Sequence, residues 1–173
     1  GASGGVGTFA VQLAHSIGAR VTAVTSHRNQ DWMSSIGADE TLDYTKDDCC
    51  KLDTKFDVFF DCYGNRQFSD ARQVLVDNGT YISTIPAVRS FSWGMLNAFR
   101  SQKSRVVVVR KSKADLAEIT RLIESGRVRP IVQTVYQQTE FKAAYEMLES
   151  KRVRGKLAVQ MLDEDDIHRP QEN

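Results

Sequence analysis

GASGGVGTFAVQLAHSIGARVTAVTSHR, residues 1–28, is the stretch that decides the fold. Ala2, Gly4 and Gly7 fall on the three small-residue positions of the pattern G-x-G-x-x-G/A, with alanine in place of the first glycine. A dinucleotide site needs small residues there: the backbone must turn tightly, approach a pyrophosphate closely and let a helix pack on the sheet. The helix is expected to begin within the loop, because Val6, Phe9, Ala10, Leu13, Ala14 and Ile17 recur at helical spacing and Gly18 ends the run. Its first amides, backed by the helix dipole, would face phosphate. The competing reading is a glycine-rich turn that only packs a helix. Such a loop ordinarily follows a buried strand, and none precedes Gly1, so the first strand of the sheet is expected to be missing.

The apolar run 21–24 reads as the next strand, and Thr25-Ser26-His27-Arg28 closes it. This is about 20 residues past the loop, where an NAD site carries an acid on the ribose 2′-hydroxyl. No acid is present. A hydroxyl and a guanidinium suit a 2′-phosphate, which a carboxylate would repel. The expected cofactor is therefore NADPH, with Ser26 and Arg28 on its phosphate.

Farther along, strands and helices alternate. Residues 29–36 read as a helix, 41–43 as a short strand and 46–55 as a charged surface connection. Residues 56–60 read as a strand, 67–76 as a helix, Asn78-Gly79 as a turn, and 80–84 and 105–109 as strands. Residues 113–125 read as a helix with Leu116, Ile119, Leu122 and Ile123 inward. The alternation predicts an α/β fold, a doubly wound, Rossmann-type parallel sheet. Residues 1–127 form the dinucleotide-binding domain. Within 128–162, residues 131–135 and 156–161 read as strands and 140–150 as a helix; 163–173 reads as a disordered tail.

Composition excludes several classes. Net charge is +1 and gives no field for nucleic acid. No apolar run is long enough to span a membrane. Cys49, Cys50 and Cys62 make neither a disulfide framework nor a zinc spacing, and read as reduced thiols. Cytoplasm is the expected compartment, with an organelle matrix left open. No catalytic constellation stands out. His15 and His168 read as surface residues, and His27 borders the phosphate site.

Taken together, GASGGVGTFA (1–10), IGADETLDY (36–44), FDVFFDCYG (56–64), LIESGRVRPIV (122–132) and RGKLAVQML (154–162) resemble the medium-chain dehydrogenase/reductase superfamily, in its zinc-free, quinone-oxidoreductase-like branch. The resemblance implies that Ser3, Gly4, Gly5, Val6 and Gly7 cradle the pyrophosphate and that Tyr44 lies beside the adenine ribose or its phosphate. It implies that Cys62 and Gly64 belong to a loop along the cofactor, and that Ile85 and Pro86 lie near the nicotinamide. It also implies a catalytic domain that this sequence lacks, against which 128–162 would pack.

The expected activity is hydride transfer from NADPH to a quinone, an enone or another activated alkene as small-molecule substrate, with the 173-residue chain inactive by itself. The alternatives are the nucleotide domain of a zinc-type alcohol dehydrogenase and a non-catalytic NADPH-binding module. The valine-rich strand 105–109, last in the proposed sheet and so at an edge, is expected to pair with its copy in a homodimer, with 91–99 covering the joint.

Overall fold

The computed structural model describes residues 1–85 and 101–161. The expectations for Pro86, for 91–99, for His168 and for the tail 163–173 lie outside the described residues.

The element order is α1 (Gly7–Ser16), β1 (Thr22–Thr25), α2 (Gln30–Ser35), β2 (Glu40–Asp43), β3 (Phe56–Asp61), α3 (Phe68–Ala71), β4 (Leu75–Ser83), β5 (Lys103–Val106), α4 (Lys113–Glu124), β6 (Val132–Gln137), α5 (Phe141–Glu149) and β7 (Lys156–Gln160). Every strand pairing is parallel: β1 with β2, β3 with β4, β4 with β5, and β6 with β7. This is the α/β architecture that the alternation demands, because parallel neighbours need a crossover between them. Among the described residues the strands form three separate ladders, β1-β2, β3-β4-β5 and β6-β7. Gly1 and Ala2 lie between the carboxyl ends of β1 and β3. Both nitrogens donate to Val24 O, at 3.3 and 3.2 Å, and a β-carbon on Gly1 would lie 3.1 Å from Tyr63 Cβ.

Two apolar clusters hold these layers. Val11, Ala23, Met33 and Ala38 join α1, β1, α2 and the turn after it, with Trp32 and Ile36 packed alongside. Cys49, Cys50, Phe68, Ala71, Leu75 and Tyr81 form the second, packed by Val24, Leu42 and Phe59. The two adjacent cysteines are thus small core residues.

Four expectations need correction. The helix expected over 67–76 is a single turn, Phe68–Ala71, followed by a 3₁₀ turn, Arg72–Val74. The Asn78-Gly79 turn lies inside β4, where Asn78 takes a φ of 65° and the register to β3 shifts; the chain bulges without reversing. On α4, Leu116 and Ile119 are exposed rather than inward, while Leu122 and Ile123 are partly buried. On α1 the buried positions are Gly7, Thr8, Val11 and Gln12, while Val6 and Ile17 are exposed. Among the described residues no helix is long and apolar enough to cross a membrane.

Candidate functional site

The glycine loop hangs on β1 through the two bonds to Val24 O and closes on itself through Gly4 N to Gly1 O, 3.2 Å, and Thr8 N to Gly4 O, 3.0 Å. Gly7 is where the fold is least forgiving: a β-carbon there would strike Gly1 O and Ala2 O and lie 2.6 Å from Ala2 C. With Gly7 in place α1 starts against the loop, and its first turn carries no acid. Among the described residues the amides of Gly5, Val6 and Gly7 donate to no protein acceptor. Three free amides at the start of a ten-residue helix form an anion cradle.

Beside the loop is an open cleft of about 320 Å³, lined by Ser3, Ser26, Arg28, Asn29, Tyr44, Lys151, Arg152 and Val153. Four of the sequence-chosen residues, Ser3, Ser26, Arg28 and Tyr44, meet here from three different parts of the chain. Ser26 caps, and Arg28 sits in the middle of, the 3₁₀ turn His27–Asn29 that follows β1. Asn29, which is buried, holds that turn: its amide donates to Ser26 O at 2.9 Å and its side chain to Ser26 Oγ at 3.3 Å. Tyr44 follows β2, and its N–H donates to Thr25 O at 3.1 Å, aligning the two strand ends. His27 pairs with Gln30 across 2.9 Å and does not line the cleft. Asp43, next to Tyr44, keeps its carboxyl below the usual carboxylate range because the Thr45 N–H and hydroxyl both donate to it, at 3.0 and 2.8 Å.

Lys151, Arg152 and Val153 were not singled out from the sequence, although the run KRVRGK, 151–156, concentrates basic residues immediately before β7. The segment is brought here by Arg154, whose Nε donates to Asn29 Oδ1 at 2.7 Å and whose Nη2 donates to Arg28 O at 2.9 Å. Gly155 N also donates to Ser3 O at 3.0 Å, and Gln12 exchanges bonds with Arg129 N and O at 2.8 and 3.1 Å. The region 128–161 is therefore clasped to the glycine loop and α1.

Cys62, Gly64 and Ile85 form a second group at the carboxyl ends of β3 and β4, across the loop from the cleft. Asp61 organises it by accepting from Tyr63 N, Gly64 N, Arg66 N and the Tyr81 hydroxyl at 3.0, 2.7, 3.1 and 3.2 Å. Gly64 has a φ of 77°, and a β-carbon there would lie 2.8 Å from Ile85 Cγ1, so glycine is required on both counts. Burial pushes the Cys62 thiol up, which leaves it a neutral, half-buried packing group.

Asp48, Cys49 and Cys50 are the candidate metal-ligating group among the described residues, with ligand atoms within 4.8 Å of one another. They fit zinc poorly. Arg66 Nη1 lies 3.2 Å from Asp48 Oδ1 and already neutralises it. Burial and the neighbouring Cys49 push the Cys50 thiol up to about 12, far from the thiolate that zinc requires.

Loop, cleft and loop-end group all sit at the carboxyl ends of parallel strands, the place where open α/β sheets bind ligands. That defines the class, a nucleotide-binding α/β domain. The zinc-binding dehydrogenase family model matches residues 36–159, well over half of the chain, and the chain belongs to that family, within the medium-chain dehydrogenase/reductase superfamily. It is 30% identical to the chloroplast envelope quinone oxidoreductase homolog of Arabidopsis thaliana, over 92% of this chain and 50% of that protein. It is 31% identical to the 2-methylene-furan-3-one reductase of Solanum lycopersicum, over 92% of this chain and 38% of that protein. The Escherichia coli quinone oxidoreductase solved with NADPH superposes with a TM-score of 0.72 at 24% identity, over 91% of this chain and 54% of that one, a likeness of fold. The chain thus spans about half the length, or less, of these relatives.

Proposed function

We propose that this chain is the NADPH-binding portion of an oxidoreductase that passes hydride to a quinone, an enone or another activated alkene. The observation that carries the cofactor is the lining of the cleft: Arg28, Lys151 and Arg152 bring three cations to it, Ser26 and Tyr44 bring hydroxyls, and no carboxylate lines it. A dianionic 2′-phosphate fits such a lining and a bare 2′-hydroxyl does not need it. The free amides of Gly5 to Gly7 would take the pyrophosphate, with Ser3 and Gly4 at the rim. Cys62, Gly64 and Ile85 would border the nicotinamide end.

When bound, the nicotinamide supplies the hydride; the residues described here bind and orient it. The substrate class rests on the two relatives, one named for quinones and one for a methylene group conjugated to a furanone. The 173-residue chain by itself should turn over no such substrate, since substrate clefts of this kind lie between domains. Three free thiols support a reducing compartment, cytosol or organelle matrix.

The test is fluorescence titration of the purified protein with NADPH and with NADH. NADPH should bind more tightly, and Arg28→Ala should cost NADPH about 1.5–3 kcal/mol, the scale of a hydrogen bond to a charged group, while leaving NADH almost unchanged. Equal affinities, or a preference for NADH, would defeat the reading. A zinc-type alcohol dehydrogenase is the second reading, favoured by the description of the matching family. Stoichiometric zinc in the full-length parent, with alcohol oxidation and no quinone or enone reduction, would select it.

A further inference from the structure

Cys49 and Cys50 stand side by side in the second core, away from the cleft and unused by the cofactor reading. Neighbours in an extended chain point to opposite faces. Here a turn sends both inward. The Cys50 N–H donates to Asp48 Oδ1 at 3.1 Å and the Lys51 N–H to Asp48 O at 2.9 Å, so Asp48 bends the chain around the pair. Arg66 Nη1 holds the same carboxylate at 3.2 Å. Both thiols are free, and both residues pack with Phe68, Ala71, Leu75 and Tyr81. The two sulfurs and a carboxylate oxygen of Asp48 lie within 4.8 Å of one another. The cover is thin, since Lys46 and Asp47 before the pair and Lys51 after it are exposed.

Paired sulfurs select soft acceptors. Zinc is held by four ligands, and its sulfurs must be thiolates. Neither condition is met: Asp48 is already paired with Arg66, and burial, with Cys49 alongside, pushes the Cys50 thiol up to about 12. A trivalent arsenic hydroxide avoids both difficulties. It needs only two sulfurs, and each departing hydroxide takes the thiol proton with it as water. The thiols need not ionise beforehand, and the product adds no net charge to an apolar surrounding, where charge is costly.

We propose that Cys49 and Cys50 form a chelating dithiol site for trivalent arsenic, taken up as arsenous acid. In the reaction two As–O bonds and two S–H bonds break, two As–S bonds form, and two molecules of water leave. One hydroxide stays on the arsenic, which remains trivalent; nothing is oxidised or reduced. Cys62 does not belong to the group and offers a single sulfur. The proposal is independent of the dinucleotide reading.

The experiment is titration of arsenous acid into the reduced, purified protein and into Cys49→Ala, Cys50→Ala and Cys62→Ala, with native mass spectrometry to count arsenic per chain and thermal melts to show that each variant is folded. The parent and Cys62→Ala should each take up one arsenic with the same affinity. Cys49→Ala and Cys50→Ala should raise the dissociation constant by about a hundredfold, because the second bond of a chelate forms at high effective concentration. X-ray absorption at the arsenic edge of the loaded parent should show two sulfur neighbours and one oxygen, a reading that does not depend on how the variants fold. A folded parent that takes up no arsenic, an arsenic with one or three sulfur neighbours, or binding that is lost with Cys62 would overturn the proposal.

Discussion

Arg154 sets its guanidinium carbon 5.6 Å from the ring centroid of Trp32, while the same group is hydrogen-bonded to Asn29 Oδ1 and to Arg28 O. One side chain from the segment before β7 therefore grips α2 and the turn that carries Arg28. It locks the two walls of the cleft together, the Ser26–Asn29 wall and the Lys151–Val153 wall. Arg154→Ala removes a cation–π contact of about 0.5–1 kcal/mol and two charge-assisted hydrogen bonds of about 1.5–3 kcal/mol net each. It should lower the melting temperature and raise the NADPH dissociation constant several-fold more than that of NADH. Arg154→Lys keeps the charge but loses the planar fork, and should fall between. Thermal melts with paired titrations check this; unchanged melting and unchanged selectivity would show that the clasp is idle.

Gly5 and Gly7 are both crowded, but by different neighbours. At Gly7 a β-carbon meets backbone, Gly1 O and the Ala2 carbonyl, which cannot move without unseating the loop from β1. At Gly5 it meets only the flexible end of Lys156. Gly7→Ala should therefore destabilise strongly, on the scale of about 1–3 kcal/mol expected for overpacking, and abolish dinucleotide binding. Gly5→Ala should melt close to the parent temperature, because the end of the lysine side chain can move aside. Urea unfolding of the two variants side by side is the measurement, and equal destabilisation would contradict the account.

The second core predicts an alkaline limb to stability. Burial, then Cys49, raises Cys50 from 9.0 to about 12, and burial, then Asp61, raises Tyr81 from 10.0 to about 12. Both pKa values are higher folded than unfolded, so each contribution is complete below the unfolded value and disappears as pH rises through the folded one. Stability should be level up to about pH 9 and then fall toward pH 12. Cys50→Ala should make the fall just above pH 9 shallower, Cys62 still contributing there, with Tyr81 adding its share above about pH 10. Tyr81→Phe loses the bonds to Arg66 O, 2.8 Å, and Asp61, and should cost about 1 kcal/mol at neutral pH, a deficit that shrinks as pH climbs. Urea midpoints from pH 7 to 11 test this; a parent and Tyr81→Phe that stay parallel throughout would refute it.

What the sequence could reveal was what is local. The strand-end segment 25–28 carries its chemistry in consecutive residues, so spacing singled out Ser26 and Arg28 while resemblance added Ser3 and Tyr44, and the four line one cleft. Lys151 and Arg152 were not singled out, because their place depends on Arg154 and Gly155 reaching back more than a hundred residues to Arg28, Asn29 and Ser3. Alternation of elements predicted a parallel sheet correctly. It failed at 67–79, where Phe68, Ala71, Val74 and Leu75 have helical spacing but serve a single helical turn, a 3₁₀ turn and the start of a bulged strand. Tertiary pairing with β3 overrides a weak local preference there.

The outer edge of β5 bears on assembly. β5 closes the β3-β4-β5 ladder, and among the described residues no strand pairs with its far side. Val108 and Val109, which follow it, are 73% and 91% exposed. We propose that this edge pairs antiparallel with the same edge of a second copy, which satisfies the open amides and covers the valines across a two-fold axis. The direction of the amides selects the diagnostic variant. Val107 N donates to Ser83 O at 2.9 Å, so its amide faces β4 and proline there would damage the chain's own sheet. Amides alternate along a strand, so that of Val106, the last residue of β5, faces outward. Val106→Pro should therefore shift a dimer to monomer with little loss of melting temperature, whereas Val107→Pro should lower both. Light scattering of the purified protein at micromolar concentration decides it: a monomeric parent, or a Val106→Pro variant that stays dimeric, removes this edge from the interface.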